Sequence, residues 1–278
     1  MFESRRYPLV LGLVTVVVLL FLYVPLIPPI LFSLQPVQAS TGLPAGAASL
    51  GSGFSNGLSL DSYFALLDNP SLPDALQTTL LSAALTAVVA TVLGLLGALA
   101  IRELRLSRLI LMMLLAPLFV PGVTMGLSDA FFFHALNLEP SLLTIVLVQV
   151  LWCLPFSTVI IVTAMSAFDQ SFVEAAYVLG AGRLRAFFDI EFPAISTGVI
   201  GSALFAAILS INETVRTQLV QGAYNNIQTY IWAIYLQVGL SPDIYALMSL
   251  LVIASVMIFV VVLALGVRSS RSQTAEFG

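Results

Sequence analysis

Charged and hydrogen-bonding side chains inside long apolar runs are costly in a bilayer, which makes them the first candidates for function. In this chain of 278 residues they are few: Asp129, then Glu213 with Arg216, with Gln149 and Trp152 in a neighbouring apolar run. Asp129 and Glu213 lining the outward part of a path would favour a cationic solute. Gln149 would add hydrogen bonding, and Trp152 stacking, in the same cavity. Simpler readings compete with this one. Glu213 and Arg216 have the spacing of a helical ion pair, Asp129 lies only about 6 to 8 Å from the end of its run and so reaches the interface, and Gln149 and Trp152 also suit contacts between helices. His134, beside Glu139, has no second or third ligand at metal spacing and receives no role. No nucleophile with its base and no paired carboxylates occur within the apolar runs.

A second candidate is the charged, glycine-punctuated stretch EAAYVLGAGRLRAFFDIEFP, from Glu174 to Pro193. Ser171-Phe172-Val173-Glu174 has the S-x-x-E spacing of a capping box. Phe168, Phe172, Ala176 and Leu179 then fall on one helical face. Gly180 and Gly182 are expected to supply left-handed conformations that stop this helix. A second short helix follows, with Leu184, Phe187, Phe188 and Ile190 as its apolar positions, and Pro193 is expected to end it near Phe192. Two helices this short are unstable alone in water and need a surface to lie on.

The elements that position these residues follow from composition. Hydrophobic residues make up 59% and charged residues 9%, and mean hydropathy is +1.05, far outside the soluble range. The expected class is an all-α integral membrane protein forming one membrane domain, 1–278. Six apolar runs are long enough to span, at about 9–34, 76–101, 109–133, 142–167, 194–213 and 244–267. The first follows Arg5 and Arg6 but is too long for the core of a secretion signal, and Pro25, Pro28 and Pro29 are expected to bend or end its outer part. From Gln35 to about Asp74 the chain reads as a flexible polar loop. Pro117 and Pro121 break or kink the third run, which is placed beside the solute path. Gly122-x-x-x-Gly126, and the glycine pairs 94/97 and 198/201, suit close helix contacts. Tyr230, Trp232 and Tyr235 suit a membrane interface.

Basic residues orient the bundle. The chain has ten arginines and no lysine, and nine of the ten fall on one side of the six runs, with Arg216 on the other. Positive charge marks the cytoplasmic side, so both termini and loop 168–193 are expected in the cytoplasm. The 14 acidic residues against 10 basic leave no basic surface for nucleic acid. Cys153 is alone, so neither an intrachain disulfide nor a cysteine metal cluster can form.

Glu174-Ala175-Ala176, Gly180 after three residues, Ile190 nine further on and Pro193 three beyond resemble the EAA loop of permease subunits in binding-protein-dependent ABC importers. Phe192 stands where the family pattern usually has leucine. The stretch GLSPDIYAL, 239–247, is similar to the segment before the last span in permeases of the spermidine/putrescine branch. The resemblance implies a type I (MetI-like) arrangement of six transmembrane helices in the bacterial inner membrane. It also implies pairing with a second permease, an external solute-binding protein, and an ABC ATPase dimer that binds ATP and Mg. This chain has no G-x-x-x-x-G-K-[ST] phosphate loop, in keeping with a subunit that hydrolyses nothing. Carried onto this sequence, Ser171 and Glu174 open the coupling helix and Glu174 offers a charge to the ATPase. Ala175 and Ala176 permit close approach, Gly180 sets the turn, Ala181 belongs to the same ATPase-coupling set, and Pro193 closes the loop. A polyamine is the expected cargo, with a different small solute as the alternative. A channel or gradient-driven transporter would instead require inverted repeats and buried coupling-ion ligands.

Overall fold

Backbone amides and carbonyls have no water to bond in hydrocarbon, so a chain this apolar must satisfy them within helices. The computed structural model describes residues 6–34, 58–104, 107–240 and 244–257, and all regular structure in them is helical. The chain divides into two units, 1–69 with 234–278, and 70–233.

In the first unit, α1 (Arg6–Tyr23) passes through a 3-10 turn, Val24–Leu26, into α2 (Ile27–Ser33). The prolines do not end the run. Pro28 and Pro29 occupy the first turn of α2, where a missing N–H leaves no bond unmade, and 10–33 continues as one apolar helix. The expected loop from 35 to 74 is shorter than its composition suggests: residues 35–57 lie outside the description, but α3 (Asp61–Leu67) is already helical. The Tyr63 hydroxyl lies 2.7 Å from Ser33 Oγ and 2.7 Å from Ser249 Oγ, and so joins α2 and α3 to the last described helix, α13 (Ile244–Met257). Phe32 packs on Tyr245 beside it. The sixth expected span reaches to 267, and its second half lies outside the described residues.

The second unit is built on three long helices: α4 (Ser71–Glu103), α7 (Leu142–Ser166) and α10 (Phe192–Ile211). Lipid is as apolar as leucine, so close helix packing rather than hydrophobic burial must hold them. Small residues supply the approach. A Cβ at Gly198 would stand 2.3 Å from that of Ala164, and one at Gly94 would stand 2.8 Å from that of Ser157. Ala90, Val146, Val150, Cys153 and Ala206 fill one core layer, and Ala98, Ile161, Met165 and Ile195 another. Leucine and valine at positions such as Leu80, Val88, Val92 and Leu96 face outward.

Between these helices, α5 (Ser107–Leu115) and a 3-10 turn, Ala116–Phe119, meet α6 (Gly122–Ala135) at a bend of 102°. The break falls at Pro117 and Pro121, as their lost amides require. Gly122 and Gly126 then lie against Arg216 of α11 (Val215–Val220), close enough that any Cβ would touch it. In α12 (Ile227–Val238), Tyr230 is buried while Trp232 and Tyr235 are exposed, so Tyr230 is not an interface residue within the chain. Among the described residues four helices are long and apolar enough to cross a membrane, five if the bent pair counts as one.

Candidate functional site

The segment 168–193 folds as a bent helical element. Its first helix, α8 (Ser171–Val178), starts one residue earlier than an S-x-x-E box needs. Ser171 is already helical, so the capping role falls to Asp169, whose Oδ1 accepts the Ser171 N–H at 2.9 Å. This bond holds the Asp169 carboxyl below its ordinary value of 3.8. A group with a depressed folded value stabilises above its unfolded value and loses that contribution as pH falls through the folded one. Helix α8 is therefore expected to be fully capped near neutrality and to fray only in strong acid. Asp169→Ala is expected to reproduce the fraying at pH 7, as faster hydrogen exchange at the first amides of α8; unchanged exchange would reassign the cap.

The end of α8 is a Schellman closure. Ala181 N–H donates to the Ala176 carbonyl at 2.9 Å and Gly180 N–H to that of Tyr177 at 3.0 Å, with Gly180 at φ +83°. Gly182 is extended, at φ −73° and ψ 162°, so only the first glycine is left-handed. The buried face also differs from the expected one. Val173, Ala176 and Ala186 are buried, packed with Phe168, Ala181 and Ile190. Phe172, Val178, Leu179, Leu184 and Phe188 are exposed, along with Glu174 and Ala175. Helix α9 (Arg183–Ala186) is followed by a π turn, Phe187–Glu191, that runs directly into α10. Pro193 thus lies in the first turn of α10 and does not end a helix. Phe192 N–H reaches back five residues to Phe187, and this wider turn lets the chain pass a proline that has no amide to donate.

The second constellation gathers Asp129 on α6, Gln149 and Trp152 on α7, Glu213 in the link between α10 and α11, and Arg216 on α11. Arg216 donates to Glu213 from Nη1, to Oε2 at 2.7 Å, and from its backbone N–H, to Oε1 at 2.9 Å. Its Cζ lies 3.8 Å from the Trp152 ring centroid. Glu213 and Arg216 are both 7% exposed. Asp129 is within electrostatic reach of Arg216, but among the described residues its Oδ2 has no hydrogen-bond partner and neither does Arg216 Nε. Gln149 has no exposed surface. Its Oε1 accepts from Thr86 at 3.2 Å and Ser210 at 2.6 Å, and its Nε2 donates to Thr217 at 3.0 Å. It ties α4, α7, α10 and α11 together, and in this arrangement both acceptor sites are used. Trp152 stands beside the ion pair, and Gln149 stands in the helix packing.

Residues 90–272 match the family described as binding-protein-dependent transport system inner membrane component. The chain belongs to this family. Members of this family are permease components of ABC importers of the binding-protein-dependent type. The permease is 33% identical over 145 residues to the putrescine transport system permease protein PotI of Escherichia coli K12, covering 50% of this chain and 52% of PotI, about half that relative's length. It is 25% identical over 201 residues to the spermidine/putrescine transport system permease protein PotC of the same organism, covering 71% and 76%. A crystal structure of a bacterial ABC transporter involved in the import of the acidic polysaccharide alginate shares its fold with a TM-score of 0.61 at 18% identity, covering 95% of this chain and 99% of that one.

Some features of the permease were hidden in its sequence. Asp169 is two residues before Ser171 and competes for the same capping role, and pattern alone favours the serine. Trp152 lies 64 residues from Arg216, and no spacing rule links them. The hydroxyls around Gln149 come from three other helices.

Proposed function

We propose that this permease forms half of the translocation pathway for a small cationic solute of the polyamine class, and that segment 168–193 couples that pathway to a separate ATPase. The observation that carries the coupling reading is the closed end of α8. A helix too short to be stable alone is capped at both ends, packed inward through Val173 and Ala176, and left with Glu174, Ala175, Val178 and Leu179 exposed. An exposed apolar surface of this kind marks a contact for another protein. The arginine distribution supports a cytoplasmic position for this surface and for both termini, on the side where ATP is bound. Closure of the ATPase pair would carry α8 with it and rock the packed helices between discrete arrangements.

The cation reading rests on Asp129, Glu213 and Arg216, whose formal charges of −1, −1 and +1 leave one net negative charge around the arginine that lies over Trp152. The relatives named for putrescine and spermidine transport agree with it. Arg216 favours a second reading, a solute that is not a polycation, because its own guanidinium already occupies the Trp152 face. Purification of the tagged permease from its native membrane, followed by reconstitution, tests both halves. An ATPase and a second permease are expected to copurify, and ATP with the cognate binding protein is expected to drive putrescine or spermidine into vesicles. Copurification without polyamine uptake would support the second reading. A chain that moves solute with no ATPase attached would overturn the coupling reading.

A further inference from the structure

Glu191 is a carboxylate buried to 2% exposure in the π turn between α9 and α10. Buried charges in proteins are paired or costly, and its partner is Arg102, in the last turn of α4, through Nη1 and Oε1. The neighbouring residue on α4, Glu103, accepts from Arg183 Nη2 at 3.0 Å. Arg102 and Glu103 also contact each other at 3.4 Å, making one four-residue chain of alternating charge. Arg183 and Glu191 are eight residues apart on one continuous helix, so their attachments lie about 12 Å apart along it. One attachment would fix a distance. Two fix an angle.

We infer that Arg102 and Glu103 on α4 clamp Arg183 and Glu191 at two points, so that α4 and the segment 183–191 tilt as one body when the coupling element moves. This rests on the coupling reading above and adds to it the link between α8 and the helix core. The pairing of buried Glu191 with the partly exposed Arg102 supplies the fixed point, because little solvent reaches the Glu191 carboxylate to compete. The exposed pair, Arg183 with Glu103, supplies the lever and is worth little alone. These four are positioning residues; none needs to touch solute or nucleotide.

The test uses the reconstituted complex in a Cys153→Ala background with nitroxides at L104C and L184C, both exposed positions. With the four charges intact, the inter-label distance is expected to be the same without nucleotide and with ATP trapped. In E191Q/R183Q it is expected to broaden or shift with ATP, and uptake per ATP hydrolysed is expected to fall about tenfold, within the usual range of coupling between sites. The swap R102E/E191R, which restores opposite charges, is expected to recover most of that ratio. An inter-label distance that changes with ATP while the charges are intact would overturn the clamp. So would an unchanged uptake ratio in E191Q/R183Q. Should E191Q/R183Q fail to insert, the intact-charge distances and the swap still decide. Gly180→Val run in parallel separates the claims: coupling lost there but kept in E191Q/R183Q overturns the clamp alone, and coupling kept in both overturns the docking reading as well.

Discussion

A Gly180→Val permease is expected to insert and assemble normally and to lose most of the solute-stimulated ATP hydrolysis of the complex. Gly180 sits at φ +83°, and among the described residues nothing lies within 4 Å of where a Cβ would stand. Added bulk therefore meets no neighbour, and the whole penalty is conformational. Holding a side-chain-bearing residue left-handed costs roughly 1–2 kcal/mol, and branching at Cβ makes valine a poor case. That is small against a membrane bundle, but every 1.4 kcal/mol is about tenfold in a local equilibrium. The closure from Ala181 to Ala176 opens first, and α8, only 8 residues long, has no other C-terminal stop. With it go the exposed positions of Val178 and Leu179, so stimulated hydrolysis is expected to fall by about tenfold. Gly180→Asn is expected to be milder, since asparagine visits this conformation more readily. Glu174→Arg attacks the same surface differently, placing a cation in the first turn, where the helix end is already partly positive. Reconstituted complex, with and without loaded binding protein, supplies the measurement. Wild-type stimulation in both Gly180→Val and Glu174→Arg would remove the docking role.

Four of the six expected spans, and a fifth as a bent pair, were readable because each apolar run is much longer than the elements of a soluble core, and the 102° break was readable because Pro117 and Pro121 sit in the middle of one. Ends were less readable. Helix α4 begins at Ser71, ahead of its hydrophobic stretch, because Pro73 is tolerated in a first turn and Asp74 suits the positive helix end. Pro193 looked like a stop because that rule is local, whereas a π turn that lets a helix pass depends on what its residues pack against. Here that is α4, through Arg102, the partner of buried Glu191. Within 168–193 the glycine and alanine positions were legible, but the inward face was not. Phe172 and Val173 are adjacent and both apolar, and packing of Val173 with Ala186, 13 residues on, decides between them. In the second constellation the i,i+3 spacing announced Glu213 with Arg216, while Trp152 and the glycines of α6 that enclose the arginine come from distant sequence.

Removing Arg216 alone is expected to be the most destabilising single change among the candidate site residues. The guanidinium is 7% exposed, bonds Glu213 at 2.7 Å, lies over Trp152 and is backed by Gly122 and Gly126. Arg216→Ala would strand a buried carboxylate with one backbone amide for company, and breaking a buried pair from one side costs about 3–5 kcal/mol. The stacking contact is worth up to about 2 kcal/mol when desolvated, although the two losses overlap and do not sum. Glu213→Gln with Arg216→Met is expected to recover most of this, because replacing both members of a buried pair by groups of similar size is often close to neutral. Thermal unfolding of detergent-purified protein would show Arg216→Ala melting lowest and the double variant near wild type. The same double variant separates scaffold from pathway. If Glu213 supplies negative charge to a cationic solute, uptake stays depressed after stability returns, and neutralising Asp129 as well depresses it further. Full uptake by the stable double variant would make the pair a clasp between α7 and α11, and would leave Asp129 to carry the cation reading alone.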